Sequence, residues 1–273
     1  MRRVIVNADD FGLSAGVSAG IAEAHSRGVV TSTSMMVHLA GWDDALRLAG
    51  ATPSLRVGLH VNLLVGEPLT VGDSLRDRRT GCFLPFGAFV RRILSRGIDA
   101  AEVEAECEAQ LAALRGAGLR VTHIDSHRHT HAMPGVRRGV AAVALRHDLP
   151  LRRPVDSGAR GLRDLPSSPH RALLASAWRA TSRRELASRS TDYFAGVTLQ
   201  GQRNFAERLI ALASRLRNGT TEIMVHPGHV DADLATTDTY TAPRERELAA
   251  LCSASVRRAF EDPGIARITF ADC

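Results

Sequence analysis

Between His123 and His131 the chain reads His123-Ile124-Asp125-Ser126-His127-Arg128-His129-Thr130-His131, four imidazoles around one carboxylate. In an extended run alternate side chains share a face, so His123, Asp125, His127 and His129 would project together at steps of about 7 Å. Titratable groups in register make poor packing, but they suit metal ligation or proton transfer. Three other segments carry the same kind of residue. Asn7-Ala8-Asp9-Asp10-Phe11-Gly12 ends an apolar run with adjacent carboxylates, which repel each other and are costly in a core unless a cation offsets them. Alone, that pair would read as a turn with a helix cap. Gly58-Leu59-His60-Val61-Asn62 places a polar alternation at another strand end, where a single His60 would be read as a satisfied core histidine. His226-Pro227-Gly228-His229 closes the run Glu222 to Val225 with a rigid turn and two imidazoles. Together these segments supply a carboxylate and two imidazoles for a metal, with a second carboxylate and another histidine left for proton transfer.

A competing signal lies next to the first segment. Gly12-Leu13-Ser14-Ala15-Gly16 and Gly16-Val17-Ser18-Ala19-Gly20 both fit the GxSxG pattern of a serine nucleophile. Such an elbow needs an oxyanion-hole loop from an earlier strand and then Asp and His in chain order, whereas these serines follow the first strand. Small residues make the match easy by chance, and a serine hydrolase is not the expected reading.

The elements that must position these residues alternate. Strands are predicted at Val4 to Ala8, Thr31 to Val37, Arg56 to Leu63, Arg120 to His127, Leu149 to Val155, Phe194 to Leu199, Thr221 to His226 and Ala266 to Phe270. Amphipathic stretches such as Ala100 to Leu114 and Phe205 to Leu216 read as helices. Asp99 with Glu102 resembles a capping box, and Pro134 suits a first helical position. Strands alternating with helices imply parallel pairing. Without a GxGxxG fingerprint, the expected fold is α/β, a distorted (β/α) barrel of seven or eight parallel strands forming one domain over residues 1–273. In a barrel, chemistry gathers at the C-terminal strand ends. There the sequence puts Asp9 and Asp10, His60 and Asn62, Asp125 and His127, and His226 and His229. Gly66 to Phe86 and Pro154 to His170, rich in Gly, Pro and Ser, are expected to form substrate walls over that rim.

Composition narrows the function classes. A chain of 273 residues with 44% hydrophobic and 23% charged residues can bury one large core and is not disordered. The sequence pI is about 10.0 and the formal net charge +6, yet all 35 basic residues are arginines spread from Arg2 to Arg267. Doublets such as Arg78-Arg79, Arg152-Arg153 and Arg257-Arg258 have no interleaved aromatics to stack on bases, so nucleic acid is not the expected partner. A positive charge does raise the local concentration of anions. Cys82, Cys107, Cys252 and Cys273 have no CxxC spacing, which fits thiols in a reducing compartment. No basic and apolar leader precedes Val4 to Val6, so a soluble cytoplasmic protein without a membrane partner is expected.

The segments Asn7-Ala8-Asp9-Asp10-Phe11-Gly12, Val30-Thr31-Ser32-Thr33-Ser34, Val57-Gly58-Leu59-His60-Val61-Asn62-Leu63, Thr122-His123-Ile124-Asp125-Ser126-His127-Arg128-His129 and His226-Pro227-Gly228-His229 occur in an order that resembles the YdjC-type carbohydrate deacetylases, which include chito-oligosaccharide deacetylase. The resemblance implies a distorted (β/α) barrel related to polysaccharide deacetylases, with one divalent cation. It also implies Asp10, His60 and His127 as ligands and Asp9 as catalytic base. His226 is then the candidate acid for the departing amine, with Asn62, Asp125, His129 and His229 as substrate-binding or ligand-orienting residues. Two imidazoles and a carboxylate suit Zn²⁺, while water-rich coordination also admits Mg²⁺, Mn²⁺ or Co²⁺. The implied reaction is metal-dependent hydrolysis of the acetamide of an N-acetylated sugar or short oligosaccharide, and the implied assembly is a homodimer. The rivals are a metal-dependent phosphoesterase, which would usually hold two or three ions, and a sugar-binding barrel without catalysis.

Overall fold

The computed structural model describes residues 1–156 and 189–273. The part of the expected rim loop from residue 157 onward lies outside them. The described residues form seven strands: β1 (Arg2–Phe11), β2 (Ser32–Met35), β3 (Arg56–Val61), β4 (Ile124–Ser126), β5 (Tyr193–Ala195), β6 (Gly219–Val225) and β7 (Ile265–Arg267). Val4, Ile5, Val6 and Ala8 are sealed from solvent on both faces of β1, as a central parallel strand requires. The order is β4-β3-β2-β1-β6-β5, and every pair is parallel. β7 pairs with Arg2 to Val4 of β1, while β2 pairs with β1 from Asn7 onward, so one edge of β1 serves two neighbours.

The fifth predicted strand, Leu149 to Val155, is reduced to bridges. Leu151 pairs with Ile124 of β4, and Asp156 pairs with Phe194 of β5, so this segment touches both ends of the curled sheet. Pro150 and Pro154 have no backbone N–H for a ladder, which limits the segment to isolated contacts. Its turn inward brings Arg152 into the interior, where the residue is only 1% exposed.

Among the described residues the α-helices are α1 (Ala15–Ser26), α2 (Trp42–Ala51), α3 (Phe86–Ser95), α4 (Ala100–Gly116), α5 (Val136–Arg146), α6 (Phe205–Ser214), α7 (Ala232–Thr237), α8 (Ala242–Cys252) and α9 (Ala254–Phe260). None of the described helices is long and apolar enough to cross a membrane. Asp99 caps α4 through the Ala101 N–H at 2.8 Å, but Glu102 does not complete a capping box. Its carboxylate instead accepts from Ser74 N–H and Oγ, and Glu106 one turn on accepts from Leu69 and Thr70. The loop from Gly66 is therefore pinned to α4. Pro134 stands ahead of α5, which begins at Val136 after Gly135 adopts φ +82°.

Gly58 is a place where only glycine fits. A Cβ there would meet the His123 ring at 2.3–2.5 Å, and that ring is stacked on Phe270 with centroids 3.8 Å apart. His123 is fully buried, and burial pushes its pKa down to about 3, so it is a neutral packing element. We expect Gly58→Ala to cost ~1–3 kcal/mol by overpacking. Urea denaturation checks this, and an unchanged midpoint would contradict the packing account.

Candidate active site

Adjacent residues of a strand normally point to opposite faces. Asp9 and Asp10 escape that rule because β1 carries an extra residue against β2: Ala8 pairs with Thr33, whereas Phe11 pairs with Met35. Asp10 takes φ +73°, a left-handed conformation that Asp tolerates better than most residues. Both carboxylates end at the C-terminal rim, each 2% exposed and each with its own partners.

Asp10 gathers the imidazoles. Its Oδ1 is 2.9 Å from His127 Nδ1 and 3.2 Å from His60 Nε2. His60 Nδ1 lies 2.6 Å from Asp125 Oδ1, and a carboxylate can only accept, so this nitrogen carries the proton. The Nε2 lone pair would then face the Asp10 oxygen, two acceptors in contact, unless a positive centre sits between them. Burial acts to lower the His60 pKa, but Asp125 and Asp10 overcome it and push it up to about 10, so a second proton can supply that charge. A divalent cation would supply it to the same atoms. The three donors lie within 4.8 Å of one another and all are buried. This donor set fits a metal.

Arg244, in α8, steadies the other oxygen. Its Nη2 donates to Asp10 Oδ2 at 2.6 Å and to Asp238 Oδ2 at 2.8 Å, while Nε donates to the Tyr240 carbonyl. Burial acts to raise the Asp10 pKa, yet Arg244 and the two imidazoles hold it well below the carboxylate range.

Asp9 is held by Arg152, whose Nη1 and Nη2 donate to Oδ2 and Oδ1 at 2.6 and 2.7 Å. Nη2 also meets Asp125 Oδ2 at 2.7 Å, and Nε donates to Glu222 Oε1 at 2.6 Å. Asn7 adds a bond to Asp9, and Ser34 Oγ donates to Asp125 at 2.8 Å. Despite burial, Arg152 and His60 keep Asp125 ionised. Neither arginine stands among the site residues expected from the sequence.

The remaining candidates divide. A cleft of about 420 Å³, within the usual range for small ligands, is lined on its inner side by Asp10, His127, His129 and His226. Phe86, Arg128, Gln200 and Tyr240 form part of its rim. Strand alternation stops at Ser126: Arg128 and His129 both have left-handed backbones, which redirects the cluster. His129 therefore reaches the cleft rather than lying in register with His123. Burial, then Arg152 and His131, drive its pKa well down, so it is a neutral ring. His131 turns away to Ser126 Oγ and the Arg152 carbonyl.

His226 is fixed at its backbone, where N–H donates to Glu247 Oε2 at 2.6 Å, and its ring meets Tyr240 edge-on. His229 is outside the cleft, with a side chain 49% exposed beside Glu23. Asn62 is also outside: its side chain closes the turn to Leu64 and Val65 while its carbonyl accepts from Gln110. From the pinned loop 66–86 only Phe86 lines the cleft, and Gln200 with Asp238 to Tyr240 supplies the other wall. The GxSxG serines are both buried: Ser14 caps α1, and Ser18 bonds the Ser14 carbonyl.

The family model for YdjC-like protein matches residues 3–262. The chain belongs to the YdjC-like family. Among its relatives is a carbohydrate deacetylase of Brevibacillus brevis, 34% identical over 99% of both chains. Another, from Geobacillus stearothermophilus, is 35% identical over 99% of this chain and 98% of its own. The fold is shared with a solved structure of a candidate cellobiose-phosphate cleavage protein from Enterococcus faecalis, with TM-score 0.78 and 27% identity over 99% and 98% of the two chains.

Glu222 gives this YdjC-like site a pH dependence. Burial raises its pKa, Arg152 lowers it, and Asp125 and Asp9 raise it further, to about 7 from the usual 4.5. The folded protein thus holds a proton that the unfolded chain releases, so stability is full below about pH 4.5 and falls as pH rises towards 7. Glu222→Gln keeps the acceptor for Arg152 and removes the titration. Between about pH 5 and pH 8, wild type should lose of order 1–3 kcal/mol relative to Glu222→Gln. Parallel stability curves from chemical denaturation would contradict this.

Proposed function

We propose that this chain is a carbohydrate deacetylase that hydrolyses the acetamide of an N-acetylated sugar or short oligosaccharide, using one divalent cation held by Asp10, His60 and His127. The observation that carries the reading is the meeting of two imidazoles on one buried carboxylate oxygen at the floor of a cleft, beside a second carboxylate with different partners. The carbohydrate-deacetylase relatives supply the substrate class. Zn²⁺ or Mg²⁺ is the expected ion, with Mn²⁺ and Co²⁺ as substitutes. A bound cation of this kind acidifies water and polarises an acyl carbonyl.

The protein's own residues do the rest. Asp125 orients His60 by accepting its Nδ1 proton, as carboxylates commonly do for ligating histidines. Arg152 and Asn7 hold Asp9 at the rim, where it takes the proton from the attacking water. His226, across the cleft from a pinned backbone, returns a proton to the departing amine nitrogen. His129, kept neutral, hydrogen-bonds the sugar. Phe86 and Tyr240 offer aromatic surface, and Gln200 polar atoms, at the entrance. Four free cysteines agree with a reducing, cytoplasmic setting.

The phosphoesterase rival needs more than one ion, and the other donor group, Asp9, His60 and Asp125, already has a guanidinium against both carboxylates. The separation of base from ligand is testable. Asp9→Asn should keep the wild-type metal content while acetate release from N-acetylated sugars falls ~10²–10⁴-fold. His127→Ala should lose the metal. Elemental analysis beside steady-state assays reads both. Loss of metal in Asp9→Asn, or full occupancy in His127→Ala, would overturn the assignment.

A further inference from the structure

Two groups of donors could hold a metal among the described residues, and they share His60. The first is the Asp10 group above. The second joins Asp9 and Asp125 to His60, whose other ring nitrogen, Nδ1, meets Asp125. Glu222 adds a third carboxylate at the same guanidinium. Three buried carboxylates are costly to hold together without a cation. Arg152 supplies it: one guanidinium donates to all three at 2.6–2.7 Å.

The match is incomplete in charge. One positive charge faces three carboxylates. Glu222 Oε2 and Asn7 Oδ1, both buried, have no hydrogen-bond partner. A doubly charged ion would offset more of this charge, and carboxylate oxygens are the donors that Mn²⁺ and Mg²⁺ prefer. We infer that Arg152 stands in the position of a second divalent cation, so that the native site admits one exchangeable ion and Asp9 is kept from becoming a ligand.

The chemical consequence is specific. A guanidinium can neutralise a carboxylate, but it has no coordination position for water and cannot be lost by exchange. Asp9, bound by N–H donors, keeps a lone pair for a proton. Were an ion there instead, Asp9 would coordinate it and cease to act as a base. Arg152 is a positioning residue, acting through Asp9 and Asp125.

The experiment counts metal in intact protein equilibrated with Mn²⁺ and desalted, together with electron paramagnetic resonance, which detects spin coupling between neighbouring Mn²⁺ ions. The inference concerns the count at Asp9 and Asp125 and is independent of deacetylase activity. It uses the one-cation reading only for the wild-type value. Wild type and Arg152→Lys should bind one equivalent, Arg152→Ala two with a coupled spectrum, and the double variant Asp9→Asn with Arg152→Ala one again. A wild type with none beside Arg152→Ala with one would sink the Asp10 ligand set and still support this inference. It is overturned if wild type binds two, if folded Arg152→Ala binds no more than wild type, or if that variant stays unfolded in excess Mn²⁺, since the ion then cannot replace the guanidinium.

Discussion

One guanidinium, that of Arg152, holds three carboxylates that would otherwise repel one another inside the barrel. Removing one partner from a buried ion pair typically costs ~3–5 kcal/mol, because the other charge is left uncompensated. Here the loss would be shared by Asp9, Asp125 and Glu222. Asp125 in turn fixes the His60 ring, so the pair of nitrogens facing Asp10 depends on Arg152 at one remove. Two groups of donors thus share His60: Arg152 occupies the one at Asp9 and Asp125, and the proposed cation would occupy the one at Asp10.

The second constraint is backbone. A regular strand cannot direct neighbouring carboxylates to one rim, and a regular strand through His129 would leave that ring in register with His123 rather than in the cleft. The bulge in β1 with Asp10 at φ +73°, and the consecutive left-handed residues Arg128 and His129, solve these problems locally. Residues held in such conformations cost free energy and concentrate at functional sites. The adjacent strands β1, β2, β3 and β4 supply the rigid frame that maintains them.

Much of this was legible in the sequence because period and type agree. Apolar runs located seven of the strands, and strand ends gathered Asp9, Asp10, His60, Asp125, His127 and His226. Reading failed where the signal is not periodic. Arg152 and Arg244 are two among 35 basic residues, and composition gives no reason to separate them from solvated arginines. A flanking cue existed for Arg152, which with Arg153 interrupts an apolar strand pattern between Pro150 and Pro154. His229 and Asn62 were misjudged because both sit near a strand end, yet one faces solvent and the other closes a turn. The loop from Gly66 read as a substrate wall, but acidic residues of α4 bind its backbone and only Phe86 of it lines the cleft. Such pairings join residues 28 to 37 positions apart and leave no local pattern.

Anomalous diffraction from crystals of the wild-type protein grown with Mn²⁺ or Zn²⁺ tests the central claim most directly, because it locates the ion relative to each carboxylate. The account predicts one peak per chain, within bonding distance of Asp10, His60 and His127, with Arg152 still paired to Asp9. A peak bonded to Asp9 and Asp125 with Arg152 displaced, or no peak at Asp10, would contradict it.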